Sequence, residues 1–351
     1  MTTVTAARVP VVTAWQLVRW LGLAAAAAVA IGLPDVLTPY WTLIATNAVL
    51  AFAIAAPLNL LTGNTGQFSL GNAAFLAIGA YTGAFITLKL DFQLPLALLA
   101  AAAVGALVGL LVGLPSLRLR GAYLLMSTLA AHYLVVFAAQ RFQTSQFGAA
   151  GAIFPPLQVG GVDLSSDRAM YLVILAFAGV IGVVIHNIMH SGHGRALEAV
   201  KARDVAAAAC GIRVRRVKLV VWSLSSAMIA AAGVLQAYLI GAATFEYYTL
   251  DLAIASIAII IVGGLGSLGG SLLGAGFVTL VPVGINRLSE QYGGQVGGQE
   301  QGLLAHPLEL QTIVYGVIII AFVIFKPEGL IGLARSAGRM VQRAVGGARH
   351  A

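Results

Sequence analysis

Long apolar stretches, separated by short polar or glycine-rich clusters, set the rhythm of this chain. A hydrocarbon core of roughly 30 Å takes about 20 apolar residues to cross as a helix. On that measure the pattern predicts spans at 17–34, 41–61, 69–88, 94–114, 121–139, 169–189, 219–240, 252–264, 270–288 and 308–325. The eighth is short and runs into glycines, as a half-helix or tilted piece would. The stretch 140–168, with "GAAGAIFPPLQVGG", and the stretch 289–308 are too rich in glycine and proline for regular helices. The expected architecture is an all-α polytopic membrane protein of about ten transmembrane helices, some short or broken.

Composition supports the pattern. Of 351 residues, 60% are hydrophobic and 9% charged, whereas a soluble domain is about half apolar and a quarter charged. The excess must face lipid. The 41 glycines fit membrane helices, where they let backbones approach closely. The single cysteine, Cys210, excludes an internal disulfide. The first apolar run follows Arg8 and Arg19 without a cleavage site and reads as a retained helix.

Charge then orients the spans. The loop "PSLRLRG" (Arg118, Arg120), the segment 190–218 and the tail with Arg335, Arg339, Arg343 and Arg349 are basic. The alternate connections hold Asp35, the pair Lys89 and Asp91, Asp163 and Asp167, Glu246 and Asp251, and Glu290 and Glu300. Ten spans put every basic segment on one side, which the positive-inside rule makes cytoplasmic. The expectation is one transmembrane domain over 1–351. It has a cytoplasmic N-terminal segment at 1–16, a cytoplasmic loop at 190–218 and a basic cytoplasmic tail at 326–351.

The loop is unusual. "GRALEAVKARDVAAAACGIRVRRVK" (194–218) carries Arg195, Lys201, Arg203, Arg213, Arg215, Arg216 and Lys218. At roughly 2.5–3.5 kcal/mol per charge on insertion scales it cannot lie in the bilayer. Its alanine-rich part has high helix propensity, which predicts one short surface helix bracketed by Gly194 and Gly211, the latter as C-terminal cap. A topogenic loop accounts for the charge but not for an ordered helix of small residues, which suits close docking on another surface.

Several chemistries lack their residues. No G-x-x-x-x-G-K-[ST] loop is present, and none of the four lysines follows a glycine. His186, His190 and His193 cluster without a cysteine or carboxylate at metal-ligand spacing. His132 falls inside a span, where a hydrogen bond to a neighbouring helix is expected. Every Asp and Glu lies at a span end or in a loop, leaving a proton-driven carrier without a titrating group, although a sodium site made of carbonyls would leave no trace. No nucleophile and base stand at usable spacing, so the chain does not read as an enzyme.

Two features remain. Gly79 and Gly83, Gly105, Gly109 and Gly113, and Gly266, Gly270 and Gly274 form small-xxx-small seams, for a tight bundle that could also dimerise. In "LLTGNTGQFSLGNAAFLAIGAYTGAF" (60–85), Gly63 and Gly66 break the chain beside Asn64, Thr65, Gln67, Ser69 and Asn72. This is either a polar turn at the membrane surface or a discontinuous helix lining a path. "GGLGSLGG" (263–270), with Ser267, repeats that flavour; the two read as a possible pair of gate elements.

Together these segments resemble the LivM/LivH-type permeases of branched-chain amino-acid ABC importers, LivM more closely. The resemblance covers about 45–335 and rests on "GQFSLGNAAFLAIGAY" (66–81), "LRLRGAYLLMSTLA" (117–130), the 194–218 segment, "GGLGSLGGSLLGA" (263–275) and "FKPEGLIG" (325–332). It implies that the loop docks on a separate cytoplasmic ATPase through Gly194, Arg195, Ala196, Asp204, Ala206, Ala207 and Gly211. It implies no cofactor in this chain, ATP and Mg being bound by two partner ATPases. The other implied partners are a homologous LivH-like permease and a periplasmic binding protein, with a bacterial inner-membrane location and no nucleic acid. Gln67, Ser69, Asn72 and Ser267 are the candidate lining of the path. Two departures stand out: Ala208 where the family often has Glu, and Asn72 where it often has His. Urea and short-chain amide permeases are closely similar in sequence. An ion-coupled secondary carrier and a non-transporting scaffold or sensor are the rivals from other classes.

Overall fold

A computed structural model describes residues 29–119, 121–292, 307–326, 328–333 and 336. Residues 29–36 are helical and are labelled α1. The helices that follow are α2 (Pro39–Thr65), α3 (Asn72–Leu88), α4 (Leu94–Ser116), α5 (Ala122–Gln146), α6 (Asp167–His190), α7 (Gly192–Ala202), α8 (Asp204–Ala209), α9 (Val214–Ile240), α10 (Leu250–Gly263), α11 (Leu268–Tyr292) and α12 (Pro307–Phe325). Seven described helices are long and apolar enough to cross a bilayer, α10 being counted with the turn before it; Asn72–Leu88 and Leu310–Phe325 are shorter. The span expected at 17–34 lies mostly outside the described residues, and residues 1–16, 293–306 and 337–351 lie wholly outside them.

One boundary moved for a physical reason. Helix α5 continues seven residues past the apolar run because Gln143 is held from three directions. Its Oε1 accepts from the Tyr81 hydroxyl (2.6 Å) and from Phe245 N–H (3.0 Å), and its Nε2 donates to Ala149 O (3.2 Å). The eighth span is indeed short. It is α10, entered through a 3₁₀ turn at Phe245–Tyr247 and ended at Gly264.

The all-α expectation holds, with four two-residue strands tying loops together. β1 (Ala152–Ile153) pairs antiparallel with β4 (Ala242–Ala243), tying the loop after α5 to the α9–α10 corner. β2 (Gln158–Val159) and β3 (Val162–Asp163) form a hairpin. Gly160 and Gly161, both at positive φ, supply the two central residues its tight turn requires.

Helices α2 and α9 are central. Every residue from Ala53 to Thr65 of α2 is buried, and α9 is buried nearly all round between Ser225 and Tyr238. A helix with no exposed face is surrounded by others. The glycine seams turn inward to these contacts: a Cβ on Gly79 would enter the Ala230 backbone, and one on Gly105 would strike the Ala230 side chain. Thus α3 and α4 lock against α9 within the chain. The third predicted seam divides. Gly270 and Gly274 press on α10, while Gly266 presses on Gly63 of α2. Large exposed apolar residues point outward from α4 (Leu99, Leu107, Leu111), α5 (Leu134, Phe137) and α12 (Val317, Ile320), as lipid-facing helices require.

Candidate functional site

The basic loop is built differently from the single helix its sequence predicts. Helix α7 starts before Gly194, capped by Ser191, whose Oγ accepts from His193 N–H (3.1 Å) and donates to Ile188 O (2.7 Å). Gly194 is therefore no bracket: it lies in the first turn, where a Cβ would run into the carbonyls of Met189 and Ile188 at the sharp α6–α7 corner. The helix then breaks at Arg203 (φ −160°, ψ 118°) and restarts as α8. Propensity favours continuation, but Asp204 is held by Lys218 Nζ (2.7 Å) at the foot of α9. Gly211 does cap, at φ 82°. Its N–H donates to Ala208 O (3.0 Å) and that of Ile212 donates to Ala207 O (3.1 Å), the paired bonds of a Schellman motif.

One face of this pair is anchored and the other stands free. Leu197, Val200 and Ala207 are buried. Leu197 packs in a cluster with Leu60 and Leu61 of α2, Ile185 of α6 and Trp222 of α9. Ala196 is half-buried; Arg195, Ala206, Ala208 and Gly211 are exposed, and Val205 is 78% exposed. Helix α8 thus presents a small apolar knob of Val205, Ala206, Ala208 and Ala209, flanked by the exposed Lys201, Arg203, Arg213, Arg215 and Arg216.

Close by, the two glycine motifs meet, although the break expected at Gly63 is absent: α2 runs through it, and only Gly66, at φ 72°, ends the helix. Asn59, buried in α2, accepts from Gly266 N–H (2.7 Å) through Oδ1. Its Nδ2 faces Ser271 Oγ (2.8 Å), Ser267 O (3.1 Å) and Gly264 O (3.3 Å). Gly63, one turn along the same face, lets the Gly266 backbone press against α2. Gly264 and Gly266 have φ of 121° and 79°, conformations that L side chains rarely adopt. From the other side, Gly329 and Ile331 of "FKPEGLIG" pack on Gly264. Three of the sequence motifs therefore converge on residues 263–267. A cavity of about 280 Å³ beside this junction is lined by Asn59, Asn64, Ser267 and Ser271, by His186 and His190 of α6, and by Glu198 of α7. The rings of His186 and His190 stack with centroids 4.0 Å apart; among the described residues no group of three or more His, Cys, Asp or Glu is arranged to hold a metal.

Of the candidate path residues, Ser267 lines this cavity, whereas Gln67, Ser69 and Asn72 do not. Gln67 and Ser69 lie in the turn between α2 and α3 and Asn72 opens α3; all three are buried. Gln67 Oε1 accepts from the Thr65 hydroxyl (3.2 Å), Ser69 Oγ accepts from Gly71 N–H (3.2 Å), and Leu70 N–H donates to Thr128 Oγ1 of α5 (3.1 Å). Asn72 is 1% exposed, and neither atom of its amide has a partner. The hydrogen bond expected of His132 is absent at Nδ1, which is buried and unpartnered; Thr128, one turn earlier, makes the link instead. Asn59 was not legible as a functional residue except by one signal: an amide at apolar depth four residues before Gly63, hence on the glycine's face.

Residues 40–323 match the family model described as "Branched-chain amino acid transport system / permease component". The chain is 26% identical over 317 residues to the high-affinity branched-chain amino acid transport system permease protein LivM of Escherichia coli, covering 83% of this chain and 70% of that one. It is 27% identical over 321 residues to LivM of Salmonella typhimurium, with the same coverage. A probable ABC transporter permease protein, YphD of Escherichia coli, is 31% identical over 132 residues, 36% of this chain and 39% of its own. No solved structure matches.

Proposed function

We propose, for a chain that belongs to the branched-chain amino acid transport permease family, that α7 and α8 couple ATP hydrolysis on a separate subunit to movement of the helix break at 263–267. The chain is the multi-pass permease subunit of an ATP-driven ABC importer for branched-chain or other apolar amino acids. The observation that carries the coupling role is the two-sidedness of the loop. The α8 knob is free to enter a groove on an ATPase, while Leu197 fixes the base of the loop against α2.

The rest of the assembly follows the family. Two cytoplasmic ATPases hold ATP and Mg, a homologous LivH-like permease completes the membrane unit, and a periplasmic binding protein delivers substrate to the outward loops. The spans number ten, both termini are cytoplasmic, and the membrane is the bacterial inner membrane. Closure of the ATPases displaces α8. The displacement passes through the Leu197 cluster to the end of α2, where Asn59 holds residues 264–271. The basic residues around the knob set its side of the membrane and complement an acidic groove rim. Arg195 is exposed at the start of α7 and serves as a polar anchor.

The test is uptake of labelled leucine into proteoliposomes, with this chain alone and then with the ATPases, the second permease and the binding protein. Uptake requiring the full set and ATP is expected, and Val205→Asp in the knob abolishes it without lowering the melting temperature. Ion-driven uptake by the chain alone, or full activity of Val205→Asp, refutes the coupling role. Competition by urea would shift the substrate class to amides, and no flux of any solute would leave a scaffold.

A further inference from the structure

A second cavity, of about 370 Å³, lies toward the other end of α2 from the coupling loop, between α2 and α9 on one side and α10, α11 and α12 on the other. Its volume falls in the roughly 300–1,000 Å³ range of small-molecule sites. Leu50, Ile54, Ile259 and Val278 supply apolar wall, and Asn47, Gln236 and Gln311 bring amides from three helices.

The direction of those amides is informative. The Gln236 Oε1 is buried and has no protein partner. Asn47 spends its Nδ2 on Leu43 O (2.9 Å), and Gln311 spends its Nε2 on the Tyr315 hydroxyl (3.0 Å), which itself donates to Val278 O (3.4 Å). Ser256 donates its hydroxyl to Leu252 O (2.9 Å). Asn47, Gln311 and Ser256 each give a proton to the wall, the Gln236 Oε1 stands open as a buried acceptor, and no carboxylate is among the lining residues. Acceptors in an apolar chamber without a counter-charge suit the N–H groups of a molecule that carries its own negative charge. At the mouth, the Arg287 guanidinium lies over the Trp41 ring at 5.5 Å. The pair stands about one helical turn beyond Ile44 and Val283, which line the cavity. A cation at that rim suits a carboxylate.

We propose that this cavity binds one apolar α-amino acid as a zwitterion. Its ammonium group donates to Gln236 Oε1 and the neighbouring amide oxygens, its carboxylate turns to Arg287, and its side chain lies on Leu50, Ile54, Ile259 and Val278. The proposal rests on the transport reading above and adds to it a substrate site in the half of the bundle away from the coupling loop.

The experiment is equilibrium binding of labelled leucine to the full chain in nanodiscs, with 4-methylpentanoate (no ammonium) and isoamylamine (no carboxylate) as competitors. Gln236→Leu removes an oxygen without a protein partner, so its melting temperature stays at or above that of the parent. Leucine affinity falls roughly tenfold or more, the loss expected for a hydrogen bond to a charged group. Gln236→Glu keeps the acceptor and keeps binding, and Arg287→Gln weakens 4-methylpentanoate but not isoamylamine. Leucine binding unchanged in Gln236→Leu, or absent from the parent chain at millimolar concentrations, overturns the site. Either result leaves the ATP-dependent uptake test untouched, so the site and the transport reading fail separately.

Discussion

Replacing Asn59 by leucine removes the tie between α2 and the helix break while keeping a side chain of the same branching. Three hydrogen bonds go: one through Oδ1 from Gly266 N–H, and two from the Nδ2 protons, shared among Ser271 Oγ, Ser267 O and Gly264 O. The costs are unequal. Ser267 O still accepts from the Ser271 hydroxyl (3.3 Å), whereas the Gly266 N–H loses its acceptor beside the packed Gly63 backbone. A buried donor without a partner costs about 1–3 kcal/mol, and each lost bond about 0.5–1.5 kcal/mol net. Burial of the new leucine offsets part of this, so the local loss is about 2–4 kcal/mol. The loss should be local, because a short segment bounded by glycines at positive φ can open without unfolding α10 or α11.

Hydrogen–deuterium exchange in nanodiscs reads this directly, since exchange of a protected amide reports the free energy of its local opening. At about 1.4 kcal/mol per factor of ten, amides of 264–268 should exchange roughly 30- to 700-fold faster in Asn59→Leu. Those of α3 and α9 should not change. Ser271→Ala removes one acceptor only and should move the same amides about tenfold or less. If Asn59→Leu folds and the 264–268 amides keep parental protection within threefold, Asn59 does not hold the break, and the proposed route from α7 through α2 loses its last link.

Gly79→Ala places a Cβ in the Ala230 backbone and should cost roughly 2–3 kcal/mol or more by overpacking. Gly284→Ala meets open space and should gain up to about 1 kcal/mol of helix propensity; paired thermal melts compare the two. Asp204→Asn weakens a partly exposed ion pair with Lys218, worth about 1 kcal/mol or less. It should raise protease cutting near Arg203 and lower ATP-dependent uptake, while the double exchange Asp204→Lys with Lys218→Asp restores part of both.

How much of this was written in the sequence depended on range. The apolar runs located the long helices because lipid imposes a length on each span separately. The inward-facing glycines of α3 and α4 were readable for the same reason, as spacing along one helix. Which helix they face was not: periodicity gives a face, and only the fold says that Gly79 and Gly105 both meet Ala230. The single-helix expectation failed at Arg203, where alanine-rich propensity argued for continuity and the contact of Asp204 with Lys218, fourteen residues on, accompanies the break. Asn59 went unnoticed because its partners stand more than 200 residues away. The two glycine motifs, grouped by flavour alone, did meet, through Gly63 and Gly266.

That meeting bears on where a substrate passes. Gln67 and Ser69 in the α2–α3 turn, with Asn72 at the head of α3, pack on α5 through Thr128, in the part of the bundle where α3 is locked to α9. The break at 263–267 sits on the boundary between α2 and the α10–α11 pair, the same boundary that opens into the 370 Å³ cavity. A path needs a boundary whose walls can part, and the close backbone contact of Gly79 with Ala230 makes the α3–α9 seam the poorer candidate. Asn72→Leu decides between them. Its amide atoms have no protein partners, so the substitution should leave stability unchanged or raise it, an unpartnered buried polar group being costly. If transport runs along α2 and α10, uptake by Asn72→Leu stays within about twofold of the parent while Gln236→Leu loses most of it. If instead Asn72→Leu abolishes uptake at full stability and Gln236→Leu transports normally, the path runs through the turn, and the α2–α10 boundary is scaffold.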